Sequence, residues 1–222
     1  MTPIVQEVYQ RLYDAFGPQH WWPGDTAFEI MVGAVLTQNT NWKNVERAIA
    51  NLRQADLLEP KALYATPLEE LEELIRPAGY YRIKARRLRN LLELVVKRYG
   101  GSLEKMFAAD PAALREQLLA VRGIGPETAD SILLYAGGIP IFVIDAYTYR
   151  IFARHGWVEQ DADYHRLQEY FHSQLPDDAT MFNEYHALLV RLGKHYCHKR
   201  RPRCPGCPLE ELLPSGGPAE VD

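Results

Sequence analysis

The sequence is poor in cysteine, in long apolar runs and in alternating apolar and polar stretches, and each shortage excludes something. Its three cysteines, an odd number gathered between Cys197 and Cys207, cannot build the disulfide framework of a small secreted protein. They point to a reducing compartment, the cytoplasm, and leave metal ligation as their open question. No stretch approaches the roughly 20 apolar residues that span a bilayer. Met1-Thr2-Pro3-Ile4-Val5-Gln6-Glu7 lacks a basic segment followed by an apolar one, so neither secretion nor membrane insertion is expected. Net positive charge is missing too: the formal balance is −4, which argues against a nucleic-acid partner unless the cations are clustered.

They are clustered. Arg82, Arg86 and Arg89, joined by Lys84 and Arg87, would form a cationic stripe on a helix. Lys194, His195, His198, Lys199, Arg200, Arg201 and Arg203 form a second group. Charge alone leaves solvated helix faces and DNA contact equally open.

With 222 residues, 47% of them hydrophobic, the chain can bury a core in one large domain or in two small lobes sharing a cleft. Apolar residues recur at helical spacing, as in Val5, Val8, Leu12 and Phe16 and again in Leu91, Leu92, Val95 and Val96, which predicts an all-α protein. Thr66-Pro67-Leu68-Glu69 reads as a capping box and Asp110-Pro111 as a cap followed by proline, while Gly17, Gly100-Gly101 and Gly137-Gly138 mark helix ends. Ile139-Pro140-Ile141-Phe142-Val143-Ile144 alone has strand character. Its proline and its lack of a partner strand argue for a buried extended linker instead, leading into Asp145. The tail from Pro214, rich in Pro, Gly and acidic residues, reads as disordered.

Between two helical stretches stands Val121-Arg122-Gly123-Ile124-Gly125-Pro126. Two glycines around one apolar residue allow a tight turn and close approach of a ligand, Pro126 suits a first helical turn, and the amides there can bind a phosphate oxygen without reading sequence. A plain turn between helices has the same pattern. The continuation narrows it: Thr128-Ala129-Asp130, then Val143-Ile144-Asp145-Ala146-Tyr147-Thr148-Tyr149-Arg150.

Together these segments resemble the helix-hairpin-helix DNA glycosylases of the endonuclease III superfamily, over nearly the whole chain. The resemblance implies two helical lobes with a central cleft: residues 24–138 as a helical barrel domain carrying the hairpin, and 1–23 with 139–222 as a second helical domain. It implies DNA contact by Gly123, Ile124 and Gly125, and by Lys84 of the basic stripe. It also implies a catalytic role for Asp145 at the cleft, where a carboxylate can stabilise the sugar cation formed as the base departs and orient the attacking water. Family members that also cut the backbone carry a lysine two residues after the second hairpin glycine, whose amine forms a Schiff base. Here that residue is Glu127, so no lyase activity is expected.

Further blocks, Trp21-Trp22-Pro23, Leu36-Thr37-Gln38-Asn39-Thr40-Asn41-Trp42 and Arg76-Pro77-Ala78-Gly79-Tyr80-Tyr81, are similar to the endonuclease III-like 3-methyladenine DNA glycosylases. That branch implies an alkylated purine as substrate, held between aromatic faces by stacking and cation-π attraction. Trp42, Trp21 and Trp22 are the corresponding pocket candidates, Gln38 falls where a residue fills the space left by the extruded base, and Tyr80 or Tyr147 would wedge the opposite strand. Cys197, Cys204 and Cys207, spaced C-x6-C-x2-C, match three of the four ligands of the iron-sulfur loop of many endonuclease III proteins, with Leu213 at the fourth position. Either a [4Fe-4S] cluster uses a substitute ligand, such as histidine or water, or the loop is a relic. The expected partner is double-stranded DNA with a damaged base, bound by a monomer. The competing readings are a glycosylase for oxidised or mismatched pyrimidines and a non-catalytic helix-hairpin-helix DNA-binding protein.

Overall fold

A computed structural model describes residues 3–21 and 24–221. Twelve α-helices follow in order among them: α1 (Ile4–Phe16), α2 (Ala27–Leu36), α3 (Trp42–Gln54), α4 (Pro60–Ala65), α5 (Leu68–Leu74), α6 (Tyr81–Tyr99), α7 (Leu103–Phe107), α8 (Pro111–Ala120), α9 (Pro126–Ser131), α10 (Ala146–Arg154), α11 (Tyr164–His172) and α12 (Ala179–His195). No strand occurs among the described residues, and none of their helices is long and apolar enough to cross a membrane. The chain divides into two compact units, residues 22–139 and residues 1–21 with 140–222.

In the unit 22–139, α6 is the central helix, with α4 and α5 packed on it. Its buried face is Lys84, Ala85, Leu88, Leu91, Leu92 and Val95, a helical recurrence that places Lys84 in phase with the leucines. Start signals are partly realised: Asp110 Oδ2 accepts from the Ala113 N–H at 2.9 Å, with Pro111 in the first turn. The capping box at Thr66 does not form. The Thr66 hydroxyl donates to the Ala62 carbonyl at 3.0 Å, and α5 starts without a side-chain cap, because the end of α4 competes for the same hydroxyl. Past α9 the chain widens into a π-helical turn, Ile132–Ala136.

The other unit is built from α1, α10, α11 and α12 around an aromatic core. Phe142 stacks on Phe171 at 4.1 Å, Phe182 meets Phe142 edge-on, and Phe152 lies tilted against Phe171. The Tyr185 hydroxyl donates to the Val5 carbonyl at 2.8 Å. Residues 139–144 form no strand. Their backbone groups bond to side chains of α11: the Phe142 N–H to His172 Nε2 (3.1 Å), the Phe142 carbonyl from Gln168 (2.7 Å), and the Ile144 N–H to the Tyr164 hydroxyl (3.4 Å). Residues 164, 168 and 172 recur every four positions and so share one face of α11, which satisfies a buried linker that has no ladder of its own. The tail is tied down rather than loose: the Ala219 N–H donates to the Arg154 carbonyl at 2.9 Å and Gln160 to the Glu220 carbonyl at 2.9 Å.

Candidate active site and nucleic-acid interface

The hairpin between α8 and α9 is shaped by its glycines. Gly123 has φ +96°, and a Cβ there would stand 2.4 Å from Arg87 Cγ, so both backbone and space require glycine. Ile124 turns inward, 5% exposed, while Gly123 and Gly125 are exposed. The turn is closed by the Ile124 N–H to the Val121 carbonyl at 3.0 Å. Arg115 of α8 grips the buried carboxylate of Asp130 with two hydrogen bonds, 2.7 and 3.0 Å, and holds the two helices in register. Glu127, in the first turn of α9, is exposed.

Gln38 is not free beside this hairpin. Its amide donates to the Gly123 carbonyl (3.2 Å) and the Thr128 hydroxyl (3.0 Å) and accepts from Arg87, so entering a duplex would break all three bonds. Its observed work is to brace the hairpin. Tyr80 is different: 69% exposed, it is held at φ +46° just before α6, a left-handed backbone uncommon for a bulky residue. Trp42 opens α3, half-buried, with its indole against Gly33 of α2.

Asp145 ends the linker and caps α10. Its Oδ1 accepts from the Thr148 N–H at 2.8 Å and the Thr148 hydroxyl at 3.0 Å. The other oxygen, Oδ2, lies 3.4 Å from His186 Nε2, and the two side chains are 12% and 6% exposed. Burial pushes the Asp145 carboxyl up, but attraction to His186 and the Thr148 donors outweigh it, and the carboxyl titrates below its ordinary value. Trp21, half-buried, stacks on the His186 ring at 5.4 Å and 24°. Trp22 lies outside the described residues. His186, 41 positions from Asp145, is absent from the sequence-based set because no local pattern joins the two.

The pattern of the HhH-GPD superfamily of base excision DNA repair proteins matches residues 32–177. The chain belongs to that superfamily. This HhH-GPD protein is 46% identical to a provisionally named DNA repair glycosylase of Methanocaldococcus jannaschii over 94% of its own length and 95% of the relative's. A solved endonuclease III–DNA complex matches it with TM-score 0.82 at 25% identity, over 96% of this chain and 95% of that one. The H. pylori 3-methyladenine DNA glycosylase, solved with 1,N6-ethenoadenine, matches with TM-score 0.75 at 30% identity, over 86% and 97%.

Two side chains of the HhH-GPD protein expected at DNA are turned elsewhere. Lys84 is 1% exposed and donates to the Leu36 and Ala78 carbonyls, both at 2.8 Å. Burial, with Arg87 nearby, lowers its ammonium to about 8. It ties the end of α2 to α6 and cannot reach a phosphate. Tyr147 is clamped between Arg150, whose guanidinium sits 5.0 Å over the ring, and Gly193, where a Cβ would come within 2.2 Å of Cδ1. As folded, the half-buried ring packs against α12. Of the stripe, Arg82 and Arg86 are exposed, while Arg89 bonds to the Tyr64 and Thr66 carbonyls.

Cys197, Cys204 and Cys207 line one cavity of about 20 Å³ together with His155, Leu209, Leu213 and Pro218, room for roughly one water molecule. Burial raises the Cys204 thiol and pushes Cys207 up to about 11. His155 Nδ1 bonds to the Ile151 carbonyl at 2.7 Å, which leaves Nε2 buried without a hydrogen-bond partner. Even with this nitrogen, no three His, Cys, Asp or Glu side chains among the described residues come together closely enough to hold an ion. Arg154 holds the loop by donating to Cys197 Sγ (3.2 Å) and to the His198 (2.7 Å) and Lys199 (2.6 Å) carbonyls. With three cysteines instead of four and a cavity of about 20 Å³, the loop as folded does not fit a four-iron cluster. Lys194, Lys199, Arg200, Arg201 and Arg203 remain exposed on its outside.

Proposed function

We propose that this HhH-GPD glycosylase is monofunctional: it hydrolyses the N-glycosidic bond of alkylated purines in duplex DNA, 3-methyladenine first, and leaves the abasic site intact. The observation that carries the chemistry is Asp145, buried yet held ionised, with Oδ1 committed to Thr148 and Oδ2 free of the cap. As the bond from C1′ to the base nitrogen breaks, its electron pair leaves with the base. The carboxylate stabilises the sugar cation, and the proton of the attacking water passes to Asp145 or solvent. An N3-alkylated adenine departs as a neutral base and needs no general acid. Trp21, stacked on His186, would offer an aromatic face to such a cation, Trp42 is the second candidate by resemblance, and the likeness to the H. pylori enzyme supports this substrate class.

Glu127, exposed where an imine-forming lysine would stand, supports the absence of a lyase step. The exposed amides at Gly123 and Gly125 and the cations outside the cysteine loop would hold the phosphate backbone, with Tyr80 as the wedge. Damaged duplex DNA would be engaged by one copy of the chain, in the cytoplasm.

Incubation with duplex DNA treated with dimethyl sulfate, followed by chromatography of the released bases, should show 3-methyladenine. Release only of oxidised pyrimidines from oxidised DNA would favour the pyrimidine reading, and no release from any lesion would favour a binding protein. Borohydride should trap no enzyme–DNA adduct; an adduct would show that another amine performs lyase chemistry.

A further inference from the structure

Asp145 has two unlike oxygens. Oδ1 is committed to α10 through both Thr148 donors, so only Oδ2 is left for a sugar cation or a water. The side chain facing Oδ2 is the His186 imidazole, 3.4 Å away, carried by α12 and 5% exposed. The imidazole is itself fixed, its ring parallel to Trp21 within 24°. The start of α10 and the middle of α12 thus meet at a single carboxylate oxygen, and Trp21 backs the imidazole that faces it.

We propose that His186 is a positioning residue for Asp145, setting the direction and ionisation of Oδ2 without touching the substrate. This rests on the reading of Asp145 as the reacting carboxylate. A carboxyl buried this far, with only a helix N-terminus beside it, is drawn toward its neutral form, which neither stabilises a cation nor accepts a proton from water. The His186 imidazole lies within ion-pair distance of Asp145 Oδ2, and its attraction lowers the carboxyl's titration. The contact also restrains rotation of the carboxylate about its last bond, which the cap at Oδ1 alone would leave looser.

The test compares His186→Phe, which keeps a ring against Trp21, with His186→Gln, whose amide nitrogen can stand near the place of Nε2. Single-turnover base release from dimethyl sulfate-treated duplex should fall at least about tenfold in the Phe variant, and the acid limb of its rate should move up by about a pH unit or more. Affinity for duplex containing a tetrahydrofuran abasic analogue should stay within about twofold, and the Gln variant should recover part of the rate. In an Asp145→Asn background, His186→Phe should change the residual rate less than about twofold, because its effect passes through the carboxylate. Losses that multiply in the double variant, an unmoved acid limb, or rate and affinity falling together would overturn the proposal. If Asp145→Asn alone leaves release unchanged, it is the reading of Asp145 that fails. Should His186→Phe melt below the assay temperature, His186→Asn, whose amide falls short of Oδ2, carries the same test.

Discussion

Asp145 is both a helix cap and the proposed reacting carboxylate, and two substitutions separate these roles. Asparagine keeps an oxygen for the Thr148 N–H, 2.8 Å from Oδ1 in the wild type, and caps about as well as aspartate. Alanine loses the cap, which costs about 0.5–2 kcal/mol. In a chain of this size 1 kcal/mol corresponds to roughly 2–4 °C in Tm, so Asp145→Ala should melt about 1–8 °C below Asp145→Asn. Base release should fall alike in both, by about 10²–10⁴-fold, since neither has a carboxylate. The pH dependence has a definite sign. The folded carboxyl titrates below its ordinary value of 3.8, so its contribution to stability is fully present above that value and is lost as pH falls through the lower, folded one. Any stability margin of wild type over Asp145→Asn should therefore hold at neutral and mildly acidic pH and narrow below about pH 4. Single-turnover kinetics and calorimetric melting over pH check all of this. An asparagine variant within tenfold of the wild-type rate, or one that melts together with the alanine variant, would refute the reasoning.

Lys84→Met should destabilise the protein by about 1–3 kcal/mol, because two buried carbonyls lose their donor, yet leave the salt dependence of DNA binding unchanged; a shallower salt slope would return Lys84 to the DNA surface. Gly193→Ala should cost about 1–3 kcal/mol through overpacking against Tyr147, and Tyr147→Ala should relieve much of that loss in urea melts. Protein purified without oxygen should be colourless, with far less than four irons per chain by metal analysis; stoichiometric iron and sulfide that disappear in His155→Ala would show that the loop opens to take a cluster.

The helices were legible because 3.6-residue periodicity and caps are local properties, and the hairpin because paired glycines are. Asp145 was legible as the residue opening a helix after a buried linker. Lys84 was misassigned by counting cations along α6 without their phase: it falls on the same face as Leu88, Leu91, Leu92 and Val95, which the periodicity itself contains. Gln38, Tyr147 and Thr66 each have more than one local solution, and they are seated by contacts with segments distant in sequence or with the preceding helix end. His186 reaches Asp145, and Trp21 reaches His186, only through tertiary packing. Gly193 did carry a signal, since glycine inside a helix is unfavourable unless something approaches closely; that something is the Tyr147 ring.

The hangers of α11 also act as a polarity code for chain position. His172 Nε2 takes an N–H, and its Nδ1 faces Asp177 at 3.5 Å, while the Gln168 amide gives a hydrogen to a C=O, so the two brackets are not interchangeable. A ladder between strands can slip by two residues and re-form. Here slippage by two toward the N-terminus would present Pro140, which has no N–H, to His172, and a shift by one would turn Phe142 out of its ring cluster. The linker therefore has one seating, and the distance along the chain from that seating to Asp145 is as fixed as the length of a rigid arm.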